Sequence, residues 1–565
     1  MRDNRPRTGC AQIRDSREWN RCVISNSPSI ANCLETQARG LAPQDLTRPR
    51  VLRSAENVAR IVVVLPRHRL WHWHRVLLGR LARSHDGEVL LDERAPPYSL
   101  AQRLWLKLEQ AVLNCGSLPK PLHPERGWHS AAKLPDDTQR RIINLSEFPV
   151  PGSSIALHYE GSRDSQALIG RLMAGDAPTL TLRSNGGDVL DASRIAIDDR
   201  ASLARGLQSV FSRCIAMIER TIEQPQRRDA AIADEQEARS GSLQAFITRA
   251  FRHKASNAIA SFFWHRDHWQ VALRQTGGQF QVVQDDGQRY YADPFLLQRD
   301  GRTFLFVEEY VYAERKGRIA MAEVIGDRLA STPVPVLDRP YHLSYPHVFE
   351  AGGEILMMPE TGENGTVELY RAAEFPLKWE LVTVLLKDGV YSDATPLFHQ
   401  GRWWLFVTVD AMGNATQDEL SIFHSDAITG PWMPHAANPV KSDSRASRSG
   451  GRIIKYGDRL FRPAQDCDRH YGAGLVWFEI TELTPTRFSE REILSWNARK
   501  DLGAIGLHSF DELGEIQAID FQHSNGSGSA RGAKMVCSPR KGGSLERSLS
   551  SGLAMGRLLS QQAKP

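Results

Sequence analysis

A nine-residue template that ends in a turn glycine recurs five times in the second half of this 565-residue chain. The template starts, at 293, 345, 393, 449 and 506, lie 52, 48, 56 and 57 residues apart, and each glycine is followed by a run of aromatic or branched residues. The five copies are Asp293–Gly301, Tyr345–Gly353, Asp393–Gly401, Ser449–Gly457 and Gly506–Gly514. Repeats of a few strands with a period of roughly 40–50 residues are typical of propeller blades. Unrelated hairpins in a β-sandwich would not keep the glycine in phase, so we predict a five-bladed β-propeller.

The ring is predicted to close through an early strand. "HWQVALRQTG" at 268–277 is a lone strand before the first template, and the fifth template lacks a long following strand set. Pairing the early strand with the last blade would leave no open sheet edge. In such a ring the innermost strands begin at one end of the axis. The template starts and second-strand ends should therefore line one solvent-filled funnel.

The chain divides into five predicted zones: an Arg-rich segment at 1–56 without periodicity, an α/β domain at 57–224, a linker at 225–259 whose first part is charged, the all-β propeller at 260–525, and a Gly/Ser/Lys/Arg-rich flexible tail at 526–565. The α/β assignment rests on a buried-strand pattern in "ARIVVVLP" and on amphipathic helices such as "SLAQRLWLKLEQAVL". We therefore expect a multidomain chain.

Composition excludes several functional classes. The formal charge is +5, from 71 basic and 66 acidic side chains, which is too balanced to indicate a nucleic-acid partner. Seven cysteines without metal or redox spacing favour reduced thiols and a cytoplasmic location. No run of about 18 apolar residues predicts a membrane span, and no secretory signal is visible. The Trp71–His74 cluster lacks a third ligand, so we expect a surface or interface role for it and predict no metal and no cofactor.

The predicted funnel contains carboxylates, arginines and histidines. Its members at template starts and strand ends are Asp293, Glu308, Glu309, Tyr345, Pro346, His347, Glu360, Asp393, Arg448, Arg452, Gln465, Asp466 and His508. Glycoside cleavage needs a carboxylate base or nucleophile and a carboxylic acid, ~5–5.5 Å apart for retention or ~6.5–9.5 Å for inversion. Asp293 and Asp393, on blades one and three, could supply such a pair. Alternatively they cap turns, since Asp near Pro is common in loops.

The propeller resembles known families. With Asp at the starts of its blades, the predicted propeller resembles the five-bladed superfamily of arabinanases, levansucrases and invertases. More specifically, "RPYHLSYPHVFEAGGEILMMPET", "ELYRAAEFPLKW", "GPWMPHAANPV", "GGRIIKYGDRLFRPAQDCDRHYG" and "GLHSF" resemble the propeller of plant glucosamine inositolphosphorylceramide transferases, over residues 290 to about 522. The resemblance implies a role in handling a glycan, including a sugar headgroup on a lipid.

The resemblance also implies residue roles. Asp293 matches the glycosidase base or nucleophile of blade one, and Asp393 the transition-state partner of blade three. The acid expected on blade four is absent, because "SRSGGR" offers Arg448 and Arg452, so Glu360 or Asp466 would have to replace it. We therefore assign catalysis to Asp293, Asp393 and Glu360. Substrate binding is assigned to Tyr345, His347, Arg448, Arg452, Gln465, Asp466 and His508. The two arginines would suit an anionic group of the ligand.

The α/β domain has a weaker resemblance, to folate-dependent formyltransferases. "INLSEFPVPG" is similar to the loop that carries Asn and His in that family; Asn144 matches, but Ser146 stands at the His position. "LDASRIAI" is similar to its Asp-Thr-Gly stretch, with Asp191 matching. Loss of a general base costs ~10²–10⁴-fold in rate, so a relic scaffold or a nucleotide-like binding role is favoured over formyl transfer.

Three functions remain open. The first is glycosyl transfer or hydrolysis in the funnel, which the retained Asp293 and Asp393 favour. The second is noncatalytic glycan recognition that positions a separate glycosyltransferase, which the missing blade-four acid favours. The third is formyl or acyl transfer to an amino sugar, with the propeller selecting the substrate.

Overall fold

The computed structural model describes residues 61–113, 115–130, 141–224, 240–263, 268–410 and 417–522, except the side chains of 256–263. The predicted Arg-rich segment and the predicted flexible tail lie outside these residues, as does 225–239 of the predicted linker. In the described part of the chain, no helix combines the length and apolar character needed to cross a membrane.

Residues 61–224 build a seven-stranded sheet with helices. The strands are β1 (Ile61–Pro66), β2 (Gly87–Asp92), β3 (His129–Ser130), β4 (Arg141–Asn144), β5 (Ser154–Tyr159), β6 (Thr179–Ser184) and β7 (Val189–Arg194). The sheet order is β3-β2-β1-β4-β5-β6-β7; the first five strands in this order are parallel, and β6 and β7 are antiparallel. The helices are α1 (His72–Leu81), α2 (Leu100–Val112), α3 (Ser165–Ala174) and α4 (Leu203–Glu223). All six residues of β1 are buried, as expected for a branched apolar strand at the centre of a parallel sheet.

A further helix, α5 (Leu243–Phe263), occupies much of the segment predicted as a linker. Phe246 of this helix is buried, and its ring meets Trp105 of α2 edge-on at a centroid distance of 6.2 Å. This part of the predicted linker is therefore ordered structure packed on the α/β domain.

Five sheets form the propeller. Blade one contains β10 (Arg289–Arg299), β11 (Arg302–Val311), β12 (Lys316–Ile325), β13 (Arg328–Leu329) and β14 (Val334–Leu337). Blade two contains β15 (Ser344–Ala351), β16 (Glu354–Thr361), β17 (Thr366–Glu374) and β18 (Lys378–Leu386). Blade three contains β19 (Val390–His399), β20 (Arg402–Asp410), β21 (Leu420–Ser425) and β22 (Met433–Pro434). Blade four contains β23 (Ile454–Tyr456), β24 (Arg459–Asp466), β25 (Gly474–Leu483) and β26 (Phe488–Asn497).

Blade five closes the ring. It joins β27 (Phe510–Leu513) and β28 (Ile516–Gln522) to β8 (Trp269–Gln275) and β9 (Gln281–Val282), with β28 antiparallel to β8 over seven residue pairs. The predicted five-bladed architecture and its closure by the early strand are confirmed. Each template glycine lies at the turn between the first two strands of its blade, with φ between 60° and 81°. This left-handed conformation is the reason for glycine there.

The propeller core lies between the blades. One cluster of buried apolar side chains fills each of the five gaps; for example, Phe306 of blade one packs in the same cluster as Met357 of blade two. Each sheet is buried on both faces, so every blade depends on its two neighbours.

Buried ion pairs join the α/β domain to blade three. Arg213 of α4 pairs with Asp418 and Glu419, and Arg220 pairs with Glu419 at 2.9 Å and with Asp191 at 2.7 Å. All five side chains are at most 8% exposed. Beside them, backbone hydrogen bonds link β7 to the segment before blade four. The two parts of the chain are therefore connected by an interior-like contact.

Candidate functional site

Three template starts adopt an unusual backbone conformation. Asp293, Tyr345 and Asp393 have φ of 50°, 46° and 52°, and the register of the first strand pair shifts at each of them. Such a β-bulge releases the local N–H from the strand ladder and changes the direction of the side chain. The innermost strands of blades one to three are therefore interrupted at equivalent points.

Each released N–H is accepted by a carboxylate of the preceding blade. Asp520 Oδ2 accepts from Asp293 N at 3.0 Å, Asp293 Oδ2 from Tyr345 N at 3.1 Å, and Glu360 Oε2 from Asp393 N at 3.1 Å. The carboxylates thus form a chain of contacts around the axis. Asp293 thus accepts a backbone N–H of the neighbouring blade rather than one of its own turn, which differs from the turn capping considered as the alternative.

Arg448 of the blade-four segment continues this chain. Its Nε lies 2.6 Å from Asp393 Oδ2, its Nη2 lies 3.3 Å from Glu360 Oε2, and Gln465 Nε2 donates to Asp393 Oδ2 at 2.8 Å. Burial raises the pKa of Asp393 to about 7, although Arg448 opposes the shift. The guanidinium also lies over the ring of Tyr471, 5.0 Å from its centroid.

A second group lies where blade five meets blade one. His508 Nδ1 is 2.6 Å from Asp520 Oδ2, and His508 Nε2 is 3.8 Å from Asp293 Oδ1. The imidazole stacks on Trp269 at a centroid distance of 4.0 Å. Burial raises the pKa of Asp293 to about 7, while the two carboxylates raise the pKa of His508 against its own burial.

Asp293, His508 and Asp520 bring possible metal-ligand atoms within 4.8 Å of one another. These atoms already have protein partners, since His508 pairs with Asp520 and both carboxylates accept backbone N–H groups. The three residues therefore form an ion-paired group in which each carboxylate also accepts a backbone N–H.

Glu308, at the end of the second strand of blade one, completes the carboxylate group. It is 5% exposed, and its Oε1 lies 3.5 Å from His342 Nε2. Burial raises the pKa of Glu308 well above its ordinary value, and the nearby Asp293, Glu360, Asp520 and Asp393 add to the shift. Burial lowers the pKa of His342, so this imidazole contributes little positive charge at neutral pH.

We name these residues the axial cluster: Asp293, Glu308, Glu360, Asp393, Arg448, Gln465, His508 and Asp520. Four of its five carboxyl groups pair with the guanidinium of Arg448 or the imidazole of His508. The fifth, that of Glu308, lies near the other carboxylates. Like charges at close range cannot all ionise, so the cluster retains protons near neutral pH. General acid–base catalysis requires a protonated group next to a group that can accept a proton, and the axial cluster provides both.

Several predicted site residues lie outside the axial cluster. His347 packs against Phe295 at a centroid distance of 4.8 Å, and burial lowers its pKa well below the ordinary value. The Tyr345 hydroxyl lies 2.9 Å from Thr395 Oγ1 and accepts from Gly451 N at 3.0 Å. Both side chains are buried and act as packing between blades.

Arg452 and Asp466 also have structural partners. Arg452 Nε lies 3.0 Å from Asp511 Oδ1, and its Nη2 donates to Leu296 O at 3.0 Å. Asp466 accepts from the N–H of Asp468 at 3.0 Å, within the "DCD" stretch at 466–468. Binding of an anion by Arg448 and Arg452 stays a prediction; such an anion would compete with Asp393 and Asp511.

The sequence placed Glu309 in the funnel, where the structure does not have it, and it missed one member of the axial cluster, Asp520. The Glu309 side chain lies on the opposite face of the strand from Glu308 and pairs with Arg289 at 2.5 Å and with Arg318 at 2.6 Å. Asp520 stands near the end of the second strand of blade five, as Glu308 and Glu360 do in blades one and two. The signal for Asp520 was therefore present in the repeat.

The α/β domain keeps its two candidate residues apart. Asn144 Nδ2 donates to Phe148 O at 2.8 Å, and Asn144 Oδ1 accepts from Ser146 Oγ at 2.8 Å. Asp191 pairs with Arg220 beside the propeller. Strands β4 and β7 are separated by β5 and β6, which corresponds to about 14 Å across the sheet. The formyltransferase-like interpretation stays a prediction, and both residues have structural contacts that explain them.

The Trp71–His74 cluster is interior rather than surface. Trp73 and His74 are buried, and His74 Nδ1 accepts from Trp71 N at 3.1 Å at the start of α1. Burial lowers the pKa of His74 to about 3, so this imidazole is neutral at physiological pH. The expected surface role is wrong for these two side chains.

Comparison with known proteins supports the propeller resemblance. Residues 278–504 match the family model described as glucosamine inositolphosphorylceramide transferase 1, N-terminal. Over 231 residues the chain is 34% identical to the glucosamine inositolphosphorylceramide transferase 1 of Arabidopsis thaliana, covering 39% of this chain and 30% of that protein. Over 205 residues it is 37% identical to the enzyme of the same name from Oryza sativa subsp. japonica, covering 36% of this chain and 27% of that protein.

The propeller is thus similar to the N-terminal region of these plant proteins, and the chain spans less than a third of their length. Among solved structures, the catalytic domain of a GH62 alpha-L-arabinofuranosidase of Coprinopsis cinerea matches 45% of this chain and 97% of its own at 9% identity, with a TM-score of 0.34. A family 117 glycoside hydrolase of Zobellia galactanivorans matches 45% of this chain and 91% of its own at 12% identity, with a TM-score of 0.31.

Proposed function

We propose that the chain is a carbohydrate-active protein that binds and processes a glycan or glycolipid headgroup at the axial cluster. The observation that carries the proposal is the convergence of five carboxyl groups from four blades with the guanidinium of Arg448 and the imidazole of His508. The plant relatives are named for glucosamine and inositolphosphorylceramide, a sugar and a lipid, and these names support a glycolipid headgroup as the substrate class.

Within this proposal Asp293 acts as the base or nucleophile. Its pKa of about 7 suits a group that must accept a proton near neutral pH. Asp393, held by Arg448 and Gln465, stabilises positive charge that develops on the sugar. Glu308, rather than Glu360 or Asp466 as expected from the sequence, serves as the acid in place of the missing blade-four residue, because its raised pKa favours the protonated form. Glu360 and Arg448 position Asp393.

The reaction is expected to show a bell-shaped pH dependence. Turnover rises as Asp293 loses its proton around pH 7, and it falls at higher pH when Glu308 loses its own. Glu308→Gln should remove most of the activity, and the activity that remains should no longer fall at high pH. A profile that stays flat from pH 5 to 9 would contradict these assignments.

Asp293→Asn tests the central role. We expect loss of turnover of at least about 100-fold, with ligand affinity unchanged within about threefold, because a base acts mainly in the transition state. Purified protein would be screened against a glycan and glycolipid-headgroup panel by binding, and the hits assayed for product by mass spectrometry. Asp300→Asn is a matched control, since Asp300 also has a positive φ but its side chain is 85% exposed. Equal turnover by Asp293→Asn and wild type would overturn the proposal.

A noncatalytic glycan-recognition role is the second candidate. It is favoured by the completeness of the hydrogen bonding around Asp393, which Arg448 and Gln465 occupy in the structure. In this case the propeller would present its glycan to a separate glycosyltransferase, as the partner predicted from the sequence. Binding without product for every hit, and weaker binding by Asp393→Asn, would select this role.

The cytoplasm is the compartment that we propose for either role. The described cysteines Cys115, Cys214 and Cys467 are free and buried, which fits a reducing environment.

A further inference from the structure

The outer face of α2 carries an exposed apolar stripe. Leu100, Leu104, Leu108 and Val112 recur every four residues, and their side chains are 64%, 57%, 53% and 72% exposed. Residues at this spacing lie above one another on the same face of a helix. Monomeric soluble proteins seldom leave such a continuous apolar row in water without a use for it.

The orientation of α2 is fixed by its other face and by its start. Leu106 is buried, and Glu109 on the same side accepts from Ala204 N at 2.7 Å and from Ser202 Oγ at 3.2 Å at the start of α4. A capping box between Ser99 and Gln102 fixes the first turn. The helix cannot turn its leucines inward without losing these contacts.

The charges of α2 are all positive on the exposed side. Arg103 and Lys107 are exposed and stand three and seven residues after Leu100, positions that share its side of the helix. Glu109, the one acidic residue of this helix, is buried against α4. The exposed face therefore combines large apolar side chains with basic side chains and no carboxylate from α2 itself.

We propose that this face of α2 binds to the surface of a membrane that contains anionic lipid. Basic and apolar side chains on one helix face match a lipid interface, where the apolar row enters the acyl boundary and the cations meet headgroup phosphates. A second copy of the chain fits less well, because a two-fold contact would place Arg103 and Lys107 against their own equivalents. The proposal is independent of the chemistry at the axial cluster.

Vesicle flotation of the purified full chain tests the proposal. We expect binding to vesicles of phosphatidylcholine with 30% phosphatidylglycerol and much weaker binding to phosphatidylcholine alone, using about 0.1 M salt so that the attraction is not fully screened. Arg103→Gln with Lys107→Gln should weaken binding to anionic vesicles roughly thirty-fold. Leu104→Gln with Leu108→Gln should weaken binding to both compositions at least about tenfold, through lost apolar burial.

Leu377→Gln with Leu381→Gln is the matched control, because these two leucines are 54% and 46% exposed on blade two of the propeller. This variant should bind vesicles as wild type does. Absence of binding by wild type to anionic vesicles, or equal binding by the α2 variants, would overturn the proposal. The proposal would also be overturned if wild type formed an oligomer without vesicles and Leu104→Gln with Leu108→Gln dissociated it. In that case the exposed face of α2 would bind a second copy of the chain. Circular dichroism melts verify that each variant is folded.

Discussion

At the scale of single residues, two demands act on the amino acid at a template start: the backbone conformation that it must adopt and the contacts that its side chain makes. Asp tolerates a left-handed conformation better than most residues, and its carboxylate can accept the N–H that the next bulge releases. Asp293 meets both demands and in addition faces His508. The sequence showed the residue and its place in the repeat, but the contact with the neighbouring blade depends on ring closure and could not be read locally.

Asp293→Asn is expected to stabilise the protein above neutral pH. The pKa of Asp293 is raised to about 7 in the folded chain, above its ordinary value of 3.8, so the folded state binds more protons between about pH 4 and 7. The contribution of this group to stability therefore falls as pH rises through that window. Asn cannot ionise and can still accept from Tyr345 N, so the variant avoids the cost of a buried charge.

Thermal melts at pH 5 and pH 8 measure this effect. The variant should exceed wild type in Tm at pH 8, by an amount equivalent to a few kcal/mol at most, and the difference should shrink at pH 5, where the wild-type carboxyl is protonated. Asp300→Asn should show neither effect. A lower Tm for Asp293→Asn at pH 8 would mean that the ionised carboxylate stabilises the fold through His508.

At the scale of elements, α4 joins the two parts of the chain. Its amphipathic pattern was visible in the sequence, and Arg213 and Arg220 lie within it. Charged residues on a helix are usually solvated, so nothing local indicated that these two would be buried against Asp418 and Glu419. The pairing depends on the docking of blade three, which no periodicity encodes.

Arg213→Met should destabilise the chain strongly. Removing Arg213 from this buried network leaves the Asp418 carboxylate without its ion-pair partner, while Glu419 keeps Arg220, and breaking a buried pair in this way costs about 3–5 kcal/mol. Urea denaturation would measure the change in the free energy of unfolding. Lys378→Met is the control, because Lys378 and Glu374 form an exposed pair whose loss should cost about 1 kcal/mol or less.

The double variant Arg213→Met with Asp418→Leu distinguishes a broken pair from a general packing defect. It should be more stable than the sum of the two single changes predicts, because the unpaired carboxylate is gone. Additive losses would show that the two side chains are not energetically coupled.

At the scale of the whole molecule, the five-bladed ring was predictable and its interior was only partly so. Five in-phase glycines located the inner hairpins, and the surplus strand at 268–277 located the closure. The helix α5 and the burial of Trp73 escaped prediction, since both depend on what the α/β domain packs against. Most of the axial cluster was predictable from the sequence, because its members lie at or next to template starts and strand ends: Asp293, Glu360, Asp393, Arg448, Gln465 and His508.

Ring closure also makes a prediction about dynamics. Strands β8 and β28 are separated by about 240 residues in sequence, but they pair from Trp269–Gln522 to Gln275–Ile516 at the centre of blade five. Their amides should therefore exchange with solvent only when the ring opens, and the two segments should be protected to the same degree. Hydrogen exchange followed by mass spectrometry would compare peptides covering 269–275 and 516–522 over increasing urea. Convergence of both segments on one opening free energy is expected. Rapid exchange of 269–275 while 516–522 stays protected would show that the early strand is a peripheral addition and that the blade closes without it.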